Sequence, residues 1–144
     1  MVCPPYDVNK SVKPIFLGLA ARKQTEESEI FMGLGENPDV FTESNVKRLI
    51  DMFEGYPLEA INIMHTNFTV IDEVLPVLKK VWPGPIGVKP DNGYFKIPFW
   101  ESTPINEKVA LEHLSRWKKL GVTRFGGCCG TDPTLIKLFA SKLK

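Results

Sequence analysis

The sequence alternates short apolar segments with longer amphipathic segments, and this alternation restricts the fold more than any other feature of the chain. The strand candidates, which are short and apolar, are residues 14–21, 58–64, 85–88 and 122–125. The helix candidates, which carry apolar residues at helical spacing, are residues 42–54, 69–81, 106–120 and 134–143. Strands that are joined through helices form parallel sheets, because a parallel neighbour requires a long crossover.

This pattern predicts an α/β fold of four parallel (β/α) units in one domain at residues 14–144, after an N-terminal lead-in at residues 1–13. A chain of 144 residues can bury one substantial core but is too short for two domains of ordinary size. Thr42 and Asp132 are predicted to cap the first and last helices, and Gly121 is predicted to end the third helix.

The loops after the strands are where functional residues are expected, because chemistry in parallel α/β folds collects at the carboxyl ends of strands. The pattern therefore predicts that His65, Asp91 and the pair Cys128–Cys129 lie on one face of the sheet. Residues 31–38 and 89–104 have the glycine, proline and asparagine content of long loops. The aromatic residues of the second loop either line the site or pack against the core, and the sequence leaves both open.

The segment Gly126-Gly127-Cys128-Cys129-Gly130 places two adjacent thiols in a turn between a strand and a helix. Glycine lets the backbone turn tightly and approach a ligand closely. The positive end of a helix and a bound metal both favour the thiolate form, so Cys128 and Cys129 are candidate ligands for zinc. The same residues also fit small buried side chains, a strained vicinal disulfide or a redox pair, although a redox pair usually has Cys-x-x-Cys spacing.

The composition, with 43% hydrophobic and 24% charged residues, is typical of a soluble globular protein. A formal net charge of +1 lacks the basic excess that nucleic acids or acidic membranes select, so neither partner is expected. No apolar run approaches the roughly 20 residues of a membrane span. The first residues lack the features of an export signal and three cysteines do not make a disulfide framework, so we expect a cytoplasmic protein.

The cysteine turn, followed by Pro133 and an apolar helix, resembles the C-terminal zinc motif of the homocysteine S-methyltransferase family. Residues 84–93 are similar to the strand and Pro-Asn-x-Gly loop of that family, and residues 58–69 correspond to the segment that carries its third zinc ligand. The resemblance runs from about Pro14 to the end of the chain. It implies a (β/α)₈ barrel of the TIM type, of which residues 14–144 match the C-terminal half.

The resemblance also implies a function, in which zinc held by three cysteines binds the sulfur of homocysteine and presents it to a methyl donor. A metal lowers the pKa of a thiol, and catalytic zinc keeps an open fourth position for a substrate. The implied partners are zinc, homocysteine and a methyl donor that the sequence does not identify, and the implied product is methionine. The alternative is a non-catalytic zinc- or thiol-binding half-domain without turnover.

The upstream zinc ligand is where the chain departs from the family pattern. The matching segment reads Ile61-Asn62-Ile63-Met64-His65, so the cysteine position of the family falls on Ile63 or Met64. His65 is predicted to replace the missing thiol, which would give a Cys₂His site. A loop histidine with ordinary solvation fits the same sequence, and Cys3 is the other available thiol.

Asp91 matches the asparagine of the family loop, a position that approaches the metal in some relatives. Together with Asn92 it is predicted to bind substrate, and a carboxylate there could also complete the resting metal site. Alternatively, Pro90-Asp91-Asn92-Gly93 is a strong turn sequence without any further role.

The length of the chain is the second departure from the family, because a (β/α)₈ barrel needs about 250 residues. Half a barrel leaves two open sheet edges and an uncovered apolar face. We therefore expect a homodimer or pairing with a missing half-barrel. The alternative is that the sequence is a fragment of a longer protein.

Overall fold

A computed structural model describes residues 16–21, 28–35, 41–55, 57–96, 99–102 and 105–143. The strands are β1 (Phe16–Ala21), β2 (Ser28–Gly35), β3 (Leu58–Asn67), β4 (Ile86–Asp91), β5 (Gly93–Lys96), β6 (Phe99–Ser102) and β7 (Val122–Phe125). The helices are α1 (Glu43–Asp51), α2 (Phe68–Val81), α3 (Glu107–Lys119) and α4 (Pro133–Leu143).

The main sheet has five strands in the order β1-β2-β3-β4-β7. The pairs β2/β3, β3/β4 and β4/β7 are parallel, and the chain passes through a helix between the two strands of each pair. The prediction of an α/β fold with a parallel sheet and four helices is therefore confirmed. The repetition of four equivalent units and the correspondence to half a barrel stay predictions.

The first strand of the sheet differs from its prediction. Residues 14–21 were expected to start the parallel set, but β1 pairs antiparallel with β2. Residues 31–38 were predicted to form a functional loop. This prediction is wrong for residues 31–35, which belong to β2, and residues 36–38 lie outside the described part of the chain. The apolar run Ile30–Met32 pairs with β1 on one side and β3 on the other, and this pairing outweighs the loop preference of the nearby glycines. The lead-in at residues 1–13 lies outside the described residues.

The segment after β4 also contains more regular structure than its sequence suggests. Residues 89–104 were predicted as one long loop, but β4 continues to Asp91, and β5 and β6 form an antiparallel hairpin in which Phe95 pairs with Trp100. The side chains of residues 93–100 lie outside the described part of the structure, so the role of the aromatic residues stays open.

The helix ends follow their capping residues. The N–H of Asn45 donates to Thr42 Oγ1 at 3.3 Å, and the N–H of Leu135 donates to Asp132 Oδ1 at 2.8 Å, so both predicted N-caps are confirmed. Asn67 caps α2 by accepting from the N–H of Thr69 at 3.0 Å. Gly121 follows α3 with φ +86°, a conformation that favours glycine, as the predicted stop requires.

The core is formed by buried side chains of the sheet and of the helices that pack against it. The sheet contributes Ile61, Ile63, Ile86 and Val88, all fully buried, and the helices contribute residues such as Leu78 and Trp117. None of the helices in the described part of the chain combines the length and apolar character needed to cross a membrane. Cytoplasmic localisation stays a prediction.

Gly87 lies beside a buried polar side chain of the neighbouring strand. Asn62, which is 1% exposed, pairs in register with Gly87, and a Cβ atom at position 87 would lie 2.0 Å from Asn62 Oδ1. Because a buried side chain has little room to move, a larger residue here would strain the junction of β3 and β4, whose ends carry His65 and Asp91.

We predict that Gly87→Ala lowers the free energy of unfolding by about 1–3 kcal/mol, the usual cost of overpacking a closed interior. Urea denaturation would measure this change. Ser115→Ala, on the exposed face of α3, is the control and should change stability by less than about 0.5 kcal/mol. Equal urea midpoints for Gly87→Ala and the unaltered chain would contradict this prediction, because they would show that the Asn62 side chain moves aside without a loss of stability.

Candidate metal centre

Four side chains with metal-binding atoms converge at the carboxyl ends of β3 and β4 and in the turn after β7. They are His65, Asp91, Cys128 and Cys129, and their ligand atoms all lie within 4.8 Å of one another. His65 Nδ1 is 3.0 Å from Asp91 Oδ2 and 3.8 Å from each of the two Sγ atoms, which are themselves 4.0 Å apart. The structure thus brings together the residues that the sequence analysis placed on one face.

His65 reaches the cluster because the pairing of β3 with β4 is irregular at this point. Met64 pairs with Lys89 and Thr66 pairs with Pro90, so His65 is an extra residue in the ladder, and its φ of 51° lies in the left-handed region. Thr66 Oγ1 donates to the carbonyl of Met64 at 2.8 Å and thereby braces the bulge.

Ile63, one of the two candidates for the cysteine position of the family, is fully buried in the core, and the candidate metal-binding residue His65 lies two residues further along β3. Cys3, the other thiol considered, lies outside the described residues.

Hydrogen bonds between backbone groups hold the cysteine turn against the end of β4. The N–H of Gly126 donates to Val88 O at 3.0 Å, and the N–H of Cys128 donates to Pro90 O at 3.1 Å. In the opposite direction, the N–H of Asn92 donates to Cys129 O at 2.9 Å. We call these three bonds the turn clamp. They fix the backbone of both cysteines relative to Asp91.

Thr131 is a positioning residue that the sequence analysis missed. Its Oγ1 donates to Pro90 O at 3.2 Å and accepts from the N–H of Cys128 at 3.3 Å. Gly127 leaves room for it, since a Cβ atom there would lie 2.3 Å from Thr131 Cγ2. The available signal was a threonine three residues after a cysteine, a spacing at which hydroxyl groups often bond to the backbone of a turn.

Asn92, the second predicted substrate-binding residue, contributes to the turn clamp through its backbone. Its side chain is not one of the four that converge, and its Nδ2 atom is buried without a hydrogen-bond partner among the described residues. Asp91 therefore lies inside the cluster and Asn92 beside it.

Three of the candidate ligand atoms, His65 Nδ1 and the two sulfurs, have spacings close to those of zinc ligands. Zinc bonds of about 2.0–2.3 Å to nitrogen, oxygen and sulfur place neighbouring ligand atoms about 3.3–3.8 Å apart. The 3.8 Å from His65 Nδ1 to each sulfur and the 4.0 Å between the sulfurs are close to this range, whereas the 3.0 Å from Nδ1 to Asp91 Oδ2 is a hydrogen-bond distance. Two sulfurs, an imidazole and a carboxylate are also ligand types that zinc accepts.

The electrostatics of the cluster are complementary to a cation. The hydrogen bond to Asp91, and after it the one to Cys128, raises the pKa of His65 to about 10 against the opposing effect of burial. Burial by itself raises the pKa of the Cys128 thiol, but hydrogen bonds from His65 and from backbone groups outweigh it and leave the pKa below its usual value. A positive charge is thus favoured between Asp91 and Cys128.

Comparison with known proteins assigns the chain to a family. The family model described as homocysteine S-methyltransferase matches residues 14–143. The chain belongs to the homocysteine S-methyltransferase family. The expectation drawn from the cysteine turn is therefore confirmed at the level of the family.

Two curated relatives agree with the family model. The chain is 26% identical over 110 residues to homocysteine S-methyltransferase 2 of Arabidopsis thaliana, a match that covers 73% of this chain and 33% of the relative. It is 30% identical over 88 residues to selenocysteine Se-methyltransferase of Brassica oleracea var. italica. That match covers 58% of this chain and 25% of the relative. The matches therefore span a third or less of these relatives.

The fold is similar to a solved member of the family. The crystal structure of the homocysteine methyltransferase MmuM from Escherichia coli, in its oxidized form, matches with a TM-score of 0.53 and 21% sequence identity. The match covers 67% of this chain and 30% of that chain, and at this identity it supports the fold alone.

Proposed function

We propose that this chain is a zinc-dependent homocysteine S-methyltransferase-type protein that activates the sulfur of homocysteine as a thiolate and gives methionine. The convergence of two cysteines, a histidine and an aspartate within 4.8 Å is the observation that carries the proposal. Cys128, Cys129 and His65 are the proposed zinc ligands, and Asp91 and Asn92 are the residues proposed to face the substrate. Membership of the family supports homocysteine as the substrate.

The chemistry of the proposed reaction follows from the ligand set. Zinc, when bound, supplies a positive charge that lowers the pKa of a substrate thiol. The thiolate then attacks the methyl carbon of an activated donor, so that a carbon–sulfur bond forms, the bond from the donor to the methyl group breaks, and the thiol proton leaves to the solvent. The residues of this chain hold and orient the reacting sulfur, while the methyl donor stays unassigned.

A non-catalytic zinc- or thiol-binding half-domain is the second candidate. The candidate ligand set favours it, because a histidine takes the place of a cysteine of the family pattern. The two candidates share the metal site and differ in turnover.

For zinc binding, we predict about one zinc ion per chain, measured by elemental analysis after dialysis. Cys128→Ser, Cys129→Ser and His65→Ala should each reduce the bound zinc, because each removes a ligand atom. His113→Ala is the matched control, since His113 is the other histidine of the chain and packs against Phe68 and Trp117 on the helix side. Zinc content that is equal in His65→Ala and His113→Ala would remove His65 from the ligand set.

For turnover, we predict that the zinc-loaded chain forms methionine from homocysteine with S-methylmethionine or betaine as donor, measured by mass spectrometry. Cys129→Ser and treatment with a chelator should abolish the reaction, because both remove the charge that stabilises the thiolate. Ser115→Ala is the control for the general effects of substitution. A folded, zinc-loaded chain that forms no methionine with either donor would favour the half-domain.

We also propose that the chain corresponds to the C-terminal half of a (β/α)₈ barrel of four units and that two copies, or this chain and a missing half, pair to cover the open sheet. The match to 30% of the solved family member supports a correspondence to part of that fold, and the pairing is proposed because a partial barrel would leave open sheet edges. Size-exclusion chromatography with light scattering should give twice the mass of one chain at micromolar concentration. A single species with the mass of one chain would contradict self-association.

A further inference from the structure

Lys89 lies on the same face of the sheet as the metal-binding cluster. Ile86 and Val88 of β4 belong to the core, and alternate residues of a strand point to opposite faces. Lys89 and Asp91 therefore share the face away from the core. Asp91 contacts His65 of the cluster, and Lys89 precedes it by two residues, about 6.6 Å along the strand. The side chain of Lys89 thus begins one residue layer before the cluster.

The apolar stem of Lys89 runs across Gly126, the first residue of the cysteine turn. A Cβ atom at Gly126 would lie 3.1 Å from Lys89 Cγ, 3.6 Å from Cδ and 3.5 Å from Cε. Because three consecutive carbons lie at similar distances, the stem lies flat against the glycine and the ammonium group, one bond beyond Cε, is next to the turn. Lys89 is partly buried, as is usual for a lysine whose stem packs while its charged end stays accessible.

The strands β3, β4 and β7 contain one other lysine or arginine, which is Arg124 of β7. Arg124 forms an ion pair with Glu59, near the amino end of β3, and it pairs in register with Gly87. Gly87 precedes Lys89 by two residues along β4. Of the two cations, Lys89 is therefore the one that lies towards the metal-binding cluster.

We propose that the ammonium group of Lys89 binds the carboxylate of a thiol amino acid whose sulfur binds the metal. Lys89 is then a substrate-binding residue that selects thiols with a carboxylate over thiols without one. The inference deepens the proposed function and rests on it for the identity of the metal and of the thiol.

The length of homocysteine suits this arrangement. Three carbon atoms separate its sulfur from its carboxyl carbon, a span of about 5 Å when the chain is extended. The layer of Lys89 and the layer of the cluster are about 6.6 Å apart along β4, and the flexible end of a lysine side chain can cover the difference. A carboxylate can thus reach the ammonium group while the sulfur stays at the metal.

The negative charge of the cluster explains why a substrate carboxylate requires a cation at this place. Cysteine binds a metal as the thiolate, so Cys128 and Cys129 would each carry a negative charge, and Asp91 adds a carboxyl group that is largely buried. A substrate carboxylate that approaches these groups is repelled by them and loses water. A charge-assisted hydrogen bond from Lys89 offsets both costs.

The experiment titrates two thiols into the cobalt(II)-loaded full chain without oxygen and follows the sulfur-to-cobalt charge-transfer absorption. One thiol is homocysteine, and the other is 3-aminopropane-1-thiol, which is homocysteine without its carboxylate. Lys89→Met keeps an apolar stem and removes the charge. It should weaken the binding of homocysteine about 10–100-fold, the usual loss for a hydrogen bond to a charged group, and leave the affinity for 3-aminopropane-1-thiol unchanged.

Two further variants serve as controls. Lys79→Met is the matched control, because Lys79 lies in the last turn of α2, beside Gly121 and away from the site, and this variant should bind both thiols as the unaltered chain does. Lys89→Arg keeps the positive charge and should retain most of the affinity for homocysteine. The cobalt content of each variant, measured before the titration, confirms that its metal site is intact.

Equal affinity for homocysteine in Lys89→Met and in the unaltered chain would overturn the inference. An equal weakening of both thiols would overturn it as well, because a purely structural role of the Lys89 stem would have that effect. If neither thiol adds charge-transfer absorption to the unaltered, cobalt-loaded chain, the proposed function is overturned and the role of Lys89 with it. The two failures are distinguishable, because the first leaves the binding of thiols to the metal intact.

Discussion

The site depends on the turn clamp, in which the backbone of the cysteine turn bonds to the end of β4. The N–H of Cys128 and the carbonyl of Cys129 are both used in these bonds, so the two thiols extend from a backbone that is fixed relative to Asp91. Backbone hydrogen bonds require no particular side chain, but they do require that the turn approach the strand closely. Gly126 allows that approach, since a Cβ atom there would lie 3.1 Å from Lys89 Cγ of β4, and Gly130 supplies a φ of 70° that favours glycine.

Much of the scaffold could be predicted because its signals are local. The caps at Thr42 and Asp132 and the stop at Gly121 satisfy backbone groups within a few residues, and the apolar runs of β3 and β4 are those of buried strands. The convergence of the four side chains followed from the rule that parallel strands end on one face. Membership of the family followed from the cysteine turn, which is also a local pattern.

The strand β2 and the bulge at His65 could not be predicted, because both depend on pairing with residues that are distant in the sequence. The strand β2 forms because it pairs on both sides, although its glycines suggest a loop. The bulge at His65 arises from the register between β3 and β4, and no local property of Met64 or Thr66 reveals it. The sequence therefore indicated that His65 lies near the thiols. The bulge that brings its ring to them is visible only once the pairing of β3 with β4 is known.

The separation of the four clustered side chains along the sequence also has a consequence for folding. His65 and Cys128 are 63 residues apart, and apart from the adjacent cysteines no two of the four side chains lie within one turn or hairpin. Closing such long loops costs entropy that the pairing of β3, β4 and β7 has to offset first. A metal ion would thus meet the complete set of ligands only after the sheet has formed, and it would reinforce a finished fold rather than start one.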